Sequence, residues 1–209
     1  MLATIDHIVI TAPSLALGAK MLHEALGIWP QPGGEHERMG THNLLLRLGE
    51  NTYLEVIAIN PEAEQPDRPR WFCLDALNAE STPRLATWVA RCDDIRAAHS
   101  ACNGIHDDIT SMRRGDLNWL ITIADDGAMP CDGIVPTLIE WQSQHHPASR
   151  LEDRGCTLLS LAGFHPDAER ANELLIALGI GADVSVATHE RPHLIATIKT
   201  PSGIRTLGA

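Results

Sequence analysis

The apolar residues fall into short runs broken by Gly, Pro and polar clusters, and the spacing within each run predicts its structure. Thr4–Thr11 (TIDHIVIT) has the β-branched content of a strand, with His7 on the same face as Ile5 and Val9. Ser14 is a candidate N-cap for a helix reaching about Leu26. Leu15, Ala19, Leu22 and Leu26 sit at helical spacing, and Gly27 ends it. Ile28–Gln31 reads as a short strand, followed by a polar loop through Gly33-Gly34 to Gly40. Thr41–Asn60 then gives two strands around a Gly49-Glu50-Asn51 turn. The order over residues 1–60 is β-α-β-β-β.

The same order recurs twice. Residues 61–83 form a Pro- and acid-rich connection, with a short helical segment over Trp71–Asn78. Arg84–Arg91 reads as a strand and Asp93–Cys102 as a helix. Three strands follow: Ile109–Arg113, Asn118–Ala124 and Ile134–Gln142. Cys156–Gly163, Pro166–Leu178, Val184–Ala187, His193–Lys199 and Ile204–Leu207 make a third unit. The predicted class is α+β. A β-α-β-β-β unit leaves one apolar sheet face uncovered, and two units side by side close that face into a cupped mixed sheet around a cavity. We expect one domain over residues 1–145, from units 1–60 and 84–145, and a structural third unit over 151–209.

Candidate chemistry comes from polar residues that interrupt apolar strands. In Thr52–Ile59, Tyr53, Glu55, Ile57 and Ile59 share one face, and Leu54, Val56 and Ala58 the other. Glu55 there needs a partner, a proton or a metal; pairing with an arginine, or a solvated face, is the simpler alternative. Glu140 interrupts Ile134–Gln142 in the same way. His42 begins a strand after the Gly-rich loop and suits a general base or donor, or a backbone-bonded structural histidine. Asn43 suits a hydrogen bond to a substrate oxygen or a turn cap. Trp71 and Trp141 line a cavity or pack a core. Arg70 or Arg113 could grip a substrate carboxylate, or lie at the surface. His145-His146 and the pair His189 and His193 lie on loops and strands and read as surface residues.

Composition narrows the partners. The 209 residues are 44% hydrophobic and 21% charged, as in ordinary globular proteins, with a net charge of −11 and no basic stripe for nucleic acid. No run approaches the roughly 20 apolar residues of a membrane span. The N-terminal apolar run is interrupted by Asp6 and His7 and carries no positive leader, so no signal peptide is expected. The five cysteines are scattered without a CxxC pair, so neither a zinc ribbon nor a disulfide framework is indicated and a cytoplasmic location is expected.

Ile5-Asp6-His7-Ile8-Val9, Gly40-Thr41-His42-Asn43, Thr52-Tyr53-Leu54-Glu55-Val56-Ile57, Arg68-Pro69-Arg70-Trp71-Phe72 and Leu138-Ile139-Glu140-Trp141 together resemble the vicinal oxygen chelate superfamily. That superfamily includes glyoxalases, bleomycin-resistance proteins and extradiol dioxygenases, and the nearer likeness is to its glyoxalase-like domain branch. The resemblance implies a divalent metal (Zn, Mn, Ni or Fe) held by His7, Glu55 and Glu140. Its fourth position falls at Thr87, a poor ligand, and Ser160 takes the place of His7 in the third unit. It also implies a small vicinal-oxygen substrate contacting His42, Asn43, Trp71 and Trp141, with Glu140 and His42 as catalytic candidates. The activity implied is that of a lyase, isomerase or dioxygenase; the alternative is a metal-free binding or sequestering protein of the bleomycin-resistance type. The third unit then covers an open sheet edge or pairs with its counterpart in a homodimer.

Overall fold

The computed structural model describes residues 3–102 and 108–208. The first unit comprises β1 (Ala3–Thr11), α1 (Leu15–Leu26), β2 (Gln31–His36), β3 (Thr41–Arg47) and β4 (Tyr53–Ile59). The second comprises β5 (Arg84–Cys92), α2 (Ile95–Ala101), β6 (Ile109–Arg114), β7 (Leu117–Thr122) and β8 (Thr137–Trp141). Local chemistry sets the helix ends: the Ser14 side chain accepts from the Leu17 amide, and Gly27 closes α1 at φ 74°.

The two units join into one eight-stranded curled sheet, in the order β2-β3-β4-β1-β5-β8-β7-β6. The seam is the antiparallel pair β1–β5; β1–β4 and β5–β8 are parallel. The curl brings the edge strands β2 and β6 together, and Arg38 Nη1 donates to the Ser111 carbonyl at 3.0 Å across the gap. Strand alternation divides the apolar residues between two cores. Ile8, Ile10, Leu54, Val56, Trp88 and Leu138 face the convex side, under the helices. Val9, Ile57, Val89, Met112, Trp119 and Ile139 face the concave side.

The third unit comprises β9 (Thr157–His165), α3 (Ala168–Ala177), β10 (Val184–Thr188), β11 (His193–Thr200) and β12 (Gly203–Leu207), and forms its own sheet, β10-β9-β11-β12. Its apolar residues Leu161, Leu194, Ala196 and Ile198 join the convex core. β11 lies against β5 and β12 against α1. The unit therefore covers a sheet face, not the open edge that was one of the two roles expected from sequence. Burying that face is the larger gain, because a face carries apolar side chains whereas an edge carries backbone polar groups. Among the described residues no helix is long and apolar enough to cross a membrane.

The connection between the first two units is not a loose linker. Trp71–Ala76 forms a 3-10 segment with Trp71, Phe72 and Leu74 buried in the concave core. Asp75 anchors it, accepting from the Arg70 amide at 2.7 Å and from Arg70 Nη1 at 2.6 Å. Phe72 and Cys73 sit at φ 58° and 54°, a left-handed conformation that is strained for residues with a Cβ.

Candidate functional site

The concave side holds a small polar cluster within aromatic walls. Its centre is His7, whose ring stacks on Tyr53 at 4.4 Å between centroids. Asp6 Oδ1 accepts a hydrogen bond from His7 Nδ1–H at 2.7 Å, and His7 Nε2 lies 3.6 Å from Glu55 Oε2. Neighbouring residues in a strand ordinarily face opposite ways. Here the β1–β5 register skips Asp6, between Ile5↔Ala90 and His7↔Val89, and this bulge lets Asp6 and His7 share a site.

Asp6 is fully buried, and its Oδ2 accepts from Trp141 Nε1 at 2.9 Å, His146 Nε2 at 2.9 Å and Arg91 Nη1 at 3.2 Å. Burial raises its pKa, but the hydrogen bonds from His146 and His7 overcome that and hold the carboxyl well below its usual range. For His7, burial disfavours the charged ring; hydrogen bonds and charge from Asp6 and Glu55 outweigh it, raising the pKa to about 9. For Glu55, burial pushes upward and is outweighed by the hydrogen bond and charge of His7, with His36 and Asn43 contributing, so the pKa falls to about 2. At neutral pH the cluster is an imidazolium held between two carboxylates.

A second polar chain leads from Glu55 to the cup's mouth. Asn43 Nδ2 donates to Glu55 Oε1 at 2.5 Å. Asn43 Oδ1 accepts from the Gly34 amide at 2.8 Å and from Arg114 Nη1 at 3.2 Å. Arg114 Nη1 also meets His36 Nε2 at 3.3 Å, and His36 Nδ1 meets Thr41 Oγ1 at 3.1 Å. A guanidinium only donates, so His36 Nε2 accepts and Nδ1 carries the proton. Burial, with the charges of Arg114 and His7 adding to it against Glu55, lowers the His36 pKa to about 4 and keeps it neutral. Burial, then the charges of Asp6 and Glu55, keep the Tyr53 phenol protonated well above its usual range.

Trp71, Phe72, Trp119, Ile121, Ile139 and Trp141 complete the walls around these groups. The open space beside the cluster is about 30 Å³, enough for a water or two. It adjoins a chamber of about 160 Å³, which shares Trp71, Phe72 and Ile121 and is further lined by Ile123, Met129 and Pro130.

The residues expected from sequence separate into two groups. His7, Glu55, Asn43, Trp71 and Trp141 line this cup. Glu140 does not: strand alternation turns it to the convex side, where its Oε2 accepts the Ile95 amide at 2.9 Å, at the start of α2. The inward-facing residues of β8 are Thr137, Ile139 and Trp141, and Thr137 pairs with Val89 as Glu55 pairs with Val9. His42 likewise lies on the opposite face of β3 from Asn43, pairing with Ala58 while Asn43 pairs with Ile57. Burial lowers its pKa against the charges of Glu35 and Glu62.

On β5, Val89 pairs with His7, and Thr87, the position that matches His7 in the second unit, pairs with Val9 and is fully buried. Arg70 is committed to Asp75, and Arg113 is exposed, bonded to the Gly115 carbonyl at 3.2 Å. His146 is not a surface residue, since its side chain is 9% exposed and bound to Asp6. Sequence reasoning missed Asp6, His36, Tyr53 as the stacking partner, and Arg114. The usable signals were a buried-looking Asp beside His7 in an apolar strand, and the two-residue spacing of Arg114 from the core residue Met112.

The donor set also bears on the metal implied by the resemblance. Two of the three expected ligands, His7 and Glu55, converge; Glu140 is on the other side of the sheet. The second unit presents Val89 and Ile139 inward, and neither can ligate. Among the described residues no three His, Cys, Asp or Glu side chains gather where they could hold a metal ion. Catalytic metal sites of this type ordinarily have three protein donors, so the residues present do not fit one.

A family model described as a glyoxalase-like domain matches residues 5–179. No curated protein matches the chain. Among solved structures, a methylmalonyl-CoA epimerase in complex with methylmalonyl-CoA and NH4+ is 18% identical, covering 70% of this chain and 98% of that one with a TM-score of 0.44. The methylmalonyl-CoA epimerase from Mycobacterium tuberculosis is 16% identical, covering 69% and 94% with a TM-score of 0.44. A mutant of 4-hydroxymandelate synthase from Streptomyces coelicolor is 15% identical, covering 99% of this chain and 62% of that one with a TM-score of 0.48. At these identities and scores the likenesses carry no residue roles.

Proposed function

The chain belongs to the glyoxalase-like domain family of the vicinal oxygen chelate superfamily, and on that premise we propose that it binds a small molecule in the cup and moves a proton on it, as an isomerase or lyase does. The observation that carries this reading is His7 clasped between Asp6 and Glu55 inside an aromatic-walled cavity. Buried charge is costly, and a site that retains three ionised groups has a use for them. Glu55 is the proton acceptor. The His7 imidazolium donates to, or stabilises, the oxygen on which negative charge develops. Asp6 orients the ring and keeps it charged, and Asn43 fixes the Glu55 carboxylate. Ring-opening oxygenase chemistry is the less favoured member of the family's repertoire here, because the inward donor set lacks the facial triad of a non-haem iron site.

A second reading is sequestration without turnover. It is favoured by the apolar second half of the cup, where Val89 and Ile139 stand in place of reactive groups. Proton exchange separates the two. The protein is incubated in D₂O with a panel of small 2-oxo and 2-hydroxy acids and aldehydes, and carbon-bound hydrogen is followed by NMR. Enzyme-dependent exchange that disappears in Glu55→Gln supports proton transfer. Ligand-induced thermal stabilisation with no exchange supports sequestration. Elemental analysis of the purified protein accompanies both. A stoichiometric metal lost in His7→Ala and Glu55→Gln would overturn the metal-free chemistry.

A further inference from the structure

Arg114 is half-buried yet has no carboxylate partner among the described residues, whereas Arg38 and Arg113 nearby, which also lack one, are exposed and bond backbone carbonyls. Arg70, Arg91 and Arg150 each have a carboxylate within ion-pair distance, Asp75, Asp6 and Asp116 respectively. Arg114 has none among the described residues. Its Nη1 is held by Asn43 Oδ1 and His36 Nε2, both neutral acceptors. The Nε and Nη2 groups, with three N–H donors between them, make no hydrogen bond to a described residue. The side chain is half-buried at the inner wall of the cup. Arg114 lines both the inner pocket and the outer groove beside Glu35 and Glu37, with no described carboxylate within ion-pair distance, and its planar fork matches a carboxylate in two-point contact.

Two further observations agree. Gly34 makes room for this arginine, because a Cβ there would lie 2.8 Å from Arg114 Cδ. Trp71, which walls both the polar space and the adjoining chamber, has a buried indole N–H with no hydrogen-bond partner. A buried polar group left unpaired is the exception in a folded protein and points to a ligand atom or ordered water. The adjoining chamber, about 160 Å³, carries Ile121, Ile123 and Met129 as well as the polar Thr122, Asp126 and Thr137, and is the size of cavity that accepts one benzene ring.

We infer that Arg114 anchors the carboxylate of the ligand, and that the ligand is a small monocarboxylate whose compact apolar body, no larger than about a phenyl ring, rests on Trp71 and Phe72. This deepens the small-molecule reading and rests on it. The carboxylate at Arg114 would leave the carbon next to it facing the Glu55–His7 pair, since Asn43 bridges Arg114 to Glu55.

Benzoate and benzamide are the test probes, equal in shape and different in charge, with binding read by calorimetry and by tryptophan fluorescence. The expected result is benzoate binding at least tenfold tighter than benzamide. The preference disappears in Arg114→Gln, and Gly34→Ala weakens it by pushing the arginine off its seat without changing its charge. Equal affinity of the two probes, or benzoate binding unchanged in Arg114→Gln with a folded protein by circular dichroism, overturns the anchor and leaves the small-molecule cup standing. Failure of both probes to bind at millimolar concentration overturns both.

Discussion

Replacing Asp6 by Asn tests the clasp from beneath. The carboxylate accepts four donors, from His7 at 2.7 Å, Trp141 at 2.9 Å, His146 at 2.9 Å and Arg91 at 3.2 Å, and is fully buried. Asn keeps one acceptor oxygen and turns an NH₂ toward a set of donors, of which the Trp141 indole and the Arg91 guanidinium cannot accept. Breaking one partner of a buried charge pair costs about 3–5 kcal/mol. The surviving oxygen retains part of this, which puts the expected loss near 3 kcal/mol. For a chain of this size that lowers Tm by roughly 6–12 °C.

The pH dependence supplies the sign. The folded pKa of His7 is raised to about 9, so its contribution is fully present below the unfolded value of 6.5 and fades as pH rises through 9. Asp6 is shifted the other way, so its contribution is present above its unfolded value and is lost in acid. The gap between wild type and Asp6→Asn is therefore widest around pH 5–6.5 and narrower at pH 10. Urea denaturation at pH 6 and pH 10 measures it. A loss under 1 kcal/mol at pH 6, or a gap of equal size at both pH values, would refute the clasp.

Three other substitutions follow from the same geometry. Glu140→Ala removes the acceptor of the Ile95 amide and should cost about 1 kcal/mol, as loss of a helix cap does, while ligand affinity stays unchanged; a tenfold affinity loss would return Glu140 to the site. His42→Ala, on the far face of β3, should change stability by less than about 0.5 kcal/mol and leave proton exchange intact. Gly33→Ala puts a Cβ 2.0 Å from Asn43 Oδ1, so it should cost roughly 2 kcal/mol and raise the Glu55 pKa by dislodging its partner; a neutral outcome in urea denaturation counts against the Asn43 bridge.

The architecture was legible because it depends on periodicity. Three β-α-β-β-β units follow from apolar runs of two kinds, and caps such as Ser14 and Gly27 mark their ends. The site was half legible. His7 and Glu55 declare themselves as polar residues in apolar strands. What sequence could not supply was phase. A one-residue offset in β8 exchanges Glu140 for Ile139 and Trp141, and in β3 it exchanges His42 for Asn43. The bulge that turns Asp6 into the cup has no separate sequence signature. Contacts made across 135 and 140 residues, such as Trp141 and His146 with Asp6, exist only once the sheet has curled. Arg114 lies one residue beyond the strand that periodicity predicts over Ile109–Arg113, and the observed strand runs through it.

The protonation state of His7 tests the central claim most directly, and long-range ¹H–¹⁵N NMR of its ring nitrogens reads it. The account predicts both nitrogens protonated through neutral pH, an apparent midpoint near 9, and a lower midpoint in Glu55→Gln. A ring that is neutral at pH 7, with a midpoint at or below 6.5 in the wild-type protein, would contradict it.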